Sequence, residues 1–265
     1  MEVSIILIMM LIVVLGVATN FIVKSGSYPA KLKRITQYYE EGNAELAMKE
    51  INELDPKFKK DPLILWYSAN LYYKQNQYIL AMAALQSMLD GAYFTKDVTE
   101  LKVREFLANI YEETGNSKKA LDEYDYIIKI KNQDYDSLYK AGLISYQSGE
   151  WMLAQKYLSL AATRNDSNPE LLYMLAYSYY KMRTYHAAQQ NIEKAIALDS
   201  SNYNYHLLYG KILSASRDFQ NAVKELEISY DSSFIDNKDS ISLDLANSYY
   251  ELGDYDKANK YYREV

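Results

Sequence analysis

Apolar and polar positions divide this chain into two unequal parts. From Val3 to Val23 it reads VSIILIMMLIVVLGVATNFIV, 21 residues without a charge. Beyond residue 30, good helix formers run in stretches broken by short polar turns, with almost none of the β-branched alternation that marks strands. Adjacent tyrosines and paired small residues recur in these stretches: "ANLYYKQNQYILAMAAL" from Ala69, "AYSYYKMRTYHAAQQNIEKAIALDSSN" from Ala176 and "LANSYYELGDYDKANKYY" from Leu245. With four prolines and nine glycines in 265 residues, the pattern predicts an all-α protein.

The recurrence has a fixed spacing. Ala47, Ala81, Ala120, Ala154, Ala188, Ala222 and Ala258 follow one another at 34, 39, 34, 34, 34 and 36 residues. A helix-turn-helix period of 34 is that of the tetratricopeptide repeat, which the sequence resembles. Twelve residues before the six alanines from Ala81 onward, the family's small position is filled by Ala69, Ala108, Gly142, Ala176, Gly210 and Ala246. The turn position is Asn76, Gly115, Gly149, Arg183, Arg217 and Gly253, and two residues further on stand Tyr78, Ser117, Trp151, Tyr185, Phe219 and Tyr255. A more degenerate unit centred on Gly42 and Ala47 precedes them. The resemblance implies a right-handed α-solenoid of about seven units over 31–265, with repeats near 31–60, 62–95, 101–134, 135–168, 169–202, 203–238 and 239–265. Small residues would let the two helices of a unit approach closely, and the aromatics would fill the wedge against the next unit. Each unit leaves an apolar face that only its neighbour covers. After Ala258, Tyr261 and Tyr262 no capping helix follows, so that face is expected to stay partly open.

In such repeats the inner, concave surface comes from the first helix of each unit. Mapped here it gives Trp66, Tyr67, Asn70, Tyr73, Phe106, Asn109, Tyr139, Lys140, Tyr146, Tyr173, Tyr177, Tyr180, Lys181, Lys211 and Asn247. Tyrosine offers a broad apolar ring and one hydroxyl, and asparagine can pair with a backbone amide. The expectation is a groove for an extended or helical segment of another protein. The two-carboxylate clamp of chaperone-tail receptors is absent, because its positions hold Trp66, Asn70, Phe106, Asp136 and Lys140.

The uncharged 3–23 segment would span about 32 Å as a helix, against roughly 30 Å of hydrocarbon. It predicts one transmembrane helix before a 24–30 linker, KSGSYPA. A cleaved signal peptide is the competing reading. Lys24, Lys31, Lys33 and Arg34 follow the segment, while only Glu2 precedes it. The positive-inside rule then favours a single-pass inner-membrane protein with a cytoplasmic C-terminal domain, a periplasmic domain being the alternative. In anchor and repeats the chain resembles the bacterial lipopolysaccharide assembly protein B family, without that family's cysteine-ligated metal module, since there is no cysteine. The analogy implies a scaffold in assembly or regulation of an envelope complex.

Chemistry is sparse. The net charge of −6, with basic residues spread singly along the helices, argues against nucleic acid as a partner. No phosphate loop, H-E-x-x-H or nucleophile elbow occurs, so no cofactor, no metal and no catalysis are expected. His186 and His206 read as exposed helix-end residues. The alternative to an adaptor is a structural subunit whose copies, or a different chain, associate through the last repeat.

Overall fold

The computed structural model describes residues 26–91, 93–131, 134–232 and 238–265. Among them are fourteen α-helices and no strand. In chain order they run two by two: α1 (Tyr28–Glu40) with α2 (Ala44–Asn52), α3 (Pro62–Lys74) with α4 (Tyr78–Asp90), and then α5 (Glu100–Glu113), the last helix of one compact unit, and α6 (Ser117–Ile130), the first of the next. Then come α7 (Tyr135–Gln147) with α8 (Trp151–Ala162), α9 (Pro169–Lys181) with α10 (Tyr185–Leu198), α11 (Tyr203–Ala215) with α12 (Phe219–Ser232), and α13 (Lys238–Glu251) with α14 (Tyr255–Tyr262). Below, the first helix of a pair is its A helix and the second its B helix. The chain divides into two compact units, one ending at Thr114 and one running from Gly115 to Val265.

The two kinds of helix begin differently, and the sequence says why. A helices follow a polar cap: the side chains of Asp61, Thr99, Asp134, Asn168 and Asn202 accept backbone N–H bonds from the first turns of α3, α5, α7, α9 and α11. Pro62 and Pro169 then occupy the first helical position, where no N–H is needed. The B helices α2, α4, α6, α8 and α10 have no side-chain cap. They start from the turn itself, whereas α12 and α14 also have a side-chain acceptor, Asp218 for Asn221 N–H and Asp254 for Lys257 N–H.

That turn is three residues long in every pair, and its middle residue is left-handed each time. Gly42, Asn76, Gly115, Gly149, Arg183, Arg217 and Gly253 all have positive φ, between 58° and 80°. Two backbone bonds close the preceding helix end. In the fifth pair Arg183 N–H donates to Tyr180 O at 2.9 Å and Thr184 N–H to Tyr179 O at 2.9 Å; in the sixth Arg217 donates to Ser214 O at 3.0 Å and Asp218 to Leu213 O at 2.9 Å. This is the Schellman arrangement, which reverses the chain tightly enough to bring A against B. Arginine accepts the left-handed basin only at a steric cost that glycine does not carry.

The seven alanines are all buried, each at most 1% exposed. At two glycines the clearance is smaller still. A Cβ on Gly142 would lie 2.6 Å from Leu158 Cγ, and one on Gly210 would lie 2.5 Å from Leu226 Cγ. Around these contacts the first unit buries one cluster including Ile35, Ile51, Ile64, Tyr67 and Leu71 and another including Leu85, Met88, Val103, Leu107 and Ile110. In the second unit Leu226, Ile241, Leu245, Tyr249 and Tyr261 form the last cluster. The long 91–99 connector belongs to the first unit's core: Val98 is buried, and Tyr93 and Phe94 pack on the same cluster.

Three expectations change. The single-pass membrane localisation is overturned: no helix among the described residues is long and apolar enough to cross a membrane. The longest, of 14 residues, reaches about 21 Å against the roughly 30 Å required. The 3–23 segment that carried the expectation lies outside the described residues. His206 is not an exposed helix end but 7% exposed, with Nδ1 at 2.7 Å from Glu225 Oε2 and Nε2 at 3.2 Å from the Ser200 carbonyl oxygen. At the last pair, Ala258 and Tyr261 are buried and only Tyr262 of the expected open trio is exposed. Tyr261 is covered by Tyr249, stacked at 5.9 Å, and by the edge of Tyr230 at 5.7 Å.

Arg217→Gly should raise unfolding free energy by up to about 1 kcal/mol, since it relieves the left-handed arginine. Gly210→Ala should lower it by roughly 1–3 kcal/mol through overpacking against Leu226. Denaturant unfolding followed by circular dichroism measures both.

Candidate protein-binding face

The residues assigned to an inner face lie on A helices and separate into the two units. In the first unit, Trp66 on α3 meets Phe106 on α5 edge-on at 5.6 Å, and Tyr73 meets Phe106 at 5.2 Å. All three rings are half-buried. The Tyr73 hydroxyl donates to Glu113, and that bond above all, with burial second, pushes the phenol up to about 12. Asn70 turns its amide inward, Nδ2 donating to Trp66 O at 2.8 Å along its own helix. Asn109 is half-buried on α5. Tyr67 departs from the expectation. It is buried in the core between α1 and α3, tilted against Tyr39 at 4.4 Å with its hydroxyl 3.3 Å from Thr36 Oγ1. Adjacent helical positions point about 100° apart, and here that rotation turns Tyr67 toward Tyr39 on α1 while Trp66 turns toward Phe106 on α5.

The second unit holds the larger aromatic assembly. Tyr146 from α7, Trp151 from the start of α8 and Tyr177 from α9 meet pairwise at 5.9, 5.4 and 5.4 Å, all edge-to-face. Tyr173 continues the row, 6.4 Å from Tyr177 and 5.3 Å from Tyr205 on α11. At the other side Tyr180 lies 6.3 Å from Tyr177 and 6.2 Å from Tyr185. Edge-to-face rings place positive edges on negative faces, which favours a fixed arrangement over a loose apolar pile. Lys181 extends over it, its Nζ 5.2 Å from the Tyr177 centroid and 5.8 Å from that of Trp151.

The phenols here stay neutral. Burial, then the neighbouring Tyr173 and Tyr177, pushes Tyr146 well above its ordinary value. Burial likewise raises Tyr173 and Tyr180. Each hydroxyl can therefore donate as well as accept at neutral pH. Lys140 is placed differently, with its Nζ 5.6 Å from the Tyr124 ring centroid, and Tyr139 stacks on Tyr135 at 6.1 Å. Further along, Lys211 on α11 pairs with Asp244 on α13 at 3.4 Å. Burial raises the Asp244 carboxyl above the usual range, and Lys211 pulls the other way without cancelling it. Asn247, exposed on α13, accepts from the Tyr262 hydroxyl at 2.7 Å.

The structure thus brings Tyr146, Tyr173, Tyr177, Tyr180 and Lys181 together and adds Trp151 and Tyr185, which sequence reasoning had set aside as wedge packing. Their signal was legible. A B helix that starts three residues after its A helix ends must place its first side chain beside the A helix's last turn.

Comparison with known proteins agrees with this architecture. Tetratricopeptide repeat models match residues 173–233 and 242–265. The C-terminal part of a TPR repeat-containing protein from Cytophaga hutchinsonii is similar with a TM-score of 0.67 and 19% identity, over 88% of this chain and 93% of that one. A crystal structure of MamA is similar at TM-score 0.56 and 18% identity, over 60% of this chain and 91% of that one. YrrB, described as a TPR protein with an unusual peptide-binding site, gives 0.56 and 16%, over 61% and 82%. At these identities the likeness establishes the fold. No curated protein matches the sequence. The chain carries tetratricopeptide repeats at 173–233 and 242–265, and its all-α fold is that of the tetratricopeptide structures it is similar to.

Because Asp244 keeps its proton more readily folded than unfolded, its ionised form costs stability at neutral pH, a cost relieved as pH falls through its native value. Asp244→Asn should leave the melting temperature at pH 7 unchanged or higher, with the advantage shrinking toward pH 4. Thermal melts at both pH values check this.

Proposed function

We propose that this chain is an adaptor whose repeats, over about 31–265, hold a segment of another protein on the inner faces of the A helices. The principal contact is the aromatic face of the second unit. One observation carries the reading: five rings, Tyr146, Trp151, Tyr173, Tyr177 and Tyr180, are neither core nor scattered but half-exposed side by side. Large rigid rings with a polar tip are what peptide-binding surfaces use, because they lose little entropy on docking. YrrB, similar in fold, is described as having a peptide-binding site, which supports the same use here. Asn70, Asn109 and the rings of Trp66 and Phe106 would form a separate contact surface on the first unit. The role is binding rather than catalysis, with no cofactor. A part in assembling an envelope complex is one setting for it.

Peptides selected from a displayed random library on the full chain should lose at least about tenfold in affinity on Tyr177→Ala. The melting temperature should stay within a few degrees. Peptides indifferent to Tyr177→Ala and Tyr180→Ala, or a chain unfolded by them, would contradict the reading.

A second reading is favoured by the last helix pair, where Tyr250, Leu252, Tyr255 and Tyr262 are exposed and Tyr250 meets Tyr255 at 5.4 Å. Self-association through this surface predicts concentration-dependent dimers in sedimentation that Leu252→Glu abolishes. A monomer at every concentration removes it.

A further inference from the structure

We propose that the aromatic face of the second unit selects a peptide segment carrying an Asp or Glu side chain beside an apolar residue, with Lys181 receiving the carboxylate. This rests on the peptide-binding reading and adds the partner's chemistry. Lys181 is an exposed cation with no carboxylate at ion-pair distance, held over the rings of Tyr177 and Trp151. The other cation on the same series of A helices that could serve, Lys211, is already matched by Asp244. At the Tyr177–Lys181 end of this face the charge left open is therefore positive; the Glu170 carboxylate lies at the other end of α9, beside Tyr173 and bonded by the Tyr205 hydroxyl.

Its setting suits an anion. An ammonium resting on aromatic faces has shed part of its hydration, so a carboxylate pairing with it gains more than at an open surface. Tyr180, whose phenol is kept neutral by burial and then by Asp244 against the opposing pull of Lys181, supplies an O–H donor near the same point, the Asp244 charge being matched by Lys211. Tyr146, Trp151 and Tyr177 present the apolar wall against which a neighbouring side chain would pack. A chain terminus is a poorer match. Terminal carboxylates are taken by converging free backbone N–H groups, and Tyr177, Tyr180 and Lys181 all lie within α9, whose N–H groups are bonded along the helix. The net charge of −6 gives an acidic peptide no long-range attraction, so selection acts at contact rather than during approach.

The test uses peptides selected on the full chain, resynthesised with amidated C-termini, and compared with versions in which each Glu or Asp becomes Gln or Asn. Trp151 reports binding by fluorescence in a Trp66→Phe background, these being the only two tryptophans. The expected result is a loss of about tenfold for the amide peptide on the unmodified chain and for the acidic peptide on Lys181→Gln, with no further loss when both changes are combined. Lys181→Arg should retain binding. Equal affinity of acid and amide peptides, indifference to Lys181→Gln, or binding only of peptides with a free C-terminal carboxylate would overturn the proposal. If those peptides still lose affinity on Tyr177→Ala, the peptide-binding reading survives its loss; if they do not, both fall.

Discussion

The close approach of the two helices in each pair is the constraint on which the rest depends. Ala47, Ala81, Ala120, Ala154, Ala188, Ala222 and Ala258 are all buried, and at Gly142 and Gly210 there is no room for a methyl group. A three-residue turn with a left-handed centre precedes every B helix and delivers the chain to that approach within each compact unit. Arg183 and Arg217 hold the conformation without being glycine, so the closed helix end and the packed pair outweigh the local strain.

Small residues inside a pair have a consequence outside it. With helices this close, most large rings fill the seam between successive pairs or remain at the surface, although in the last pair Tyr249 and Tyr261 stack between its own two helices. Tyr124 and Tyr157 take the first course and are almost fully buried. Tyr146, Tyr173, Tyr177 and Tyr180 take the second in part, each half-buried. The aromatic face is thus a by-product of the packing rule, set by which A-helix positions carry tyrosine. Trp151 and Tyr185 join it because the short turn sets the first B-helix residue against the end of A.

Much of this was legible in the chain. The alanine spacing located all seven pairs, and the turn position picked out every left-handed residue, including three that are not glycine. The 39-residue interval signalled a longer connector, though not that Val98 would plug the core. Position counting failed where direction within a helical turn matters: Tyr67 was assigned to the face and lies in the core, and His206 was read as exposed yet faces Glu225 and a backbone carbonyl. Both errors share a cause. A one-dimensional register says which helix a residue is on, but a rotation of one position decides between core and surface. The apolar 3–23 run, strong in sequence, has no counterpart among the described residues.

The central claim is that the pairing leaves the aromatic row of the second unit presented to solvent rather than sealed in the core. Hydroxyl-radical footprinting with residue-level mass spectrometry tests it most directly. Tyr146, Tyr173, Tyr177, Tyr180 and Trp151 should be oxidised well ahead of Tyr124, Tyr157, Tyr205 and Tyr249, the buried set. Equal protection of the two sets in the free chain would contradict the account.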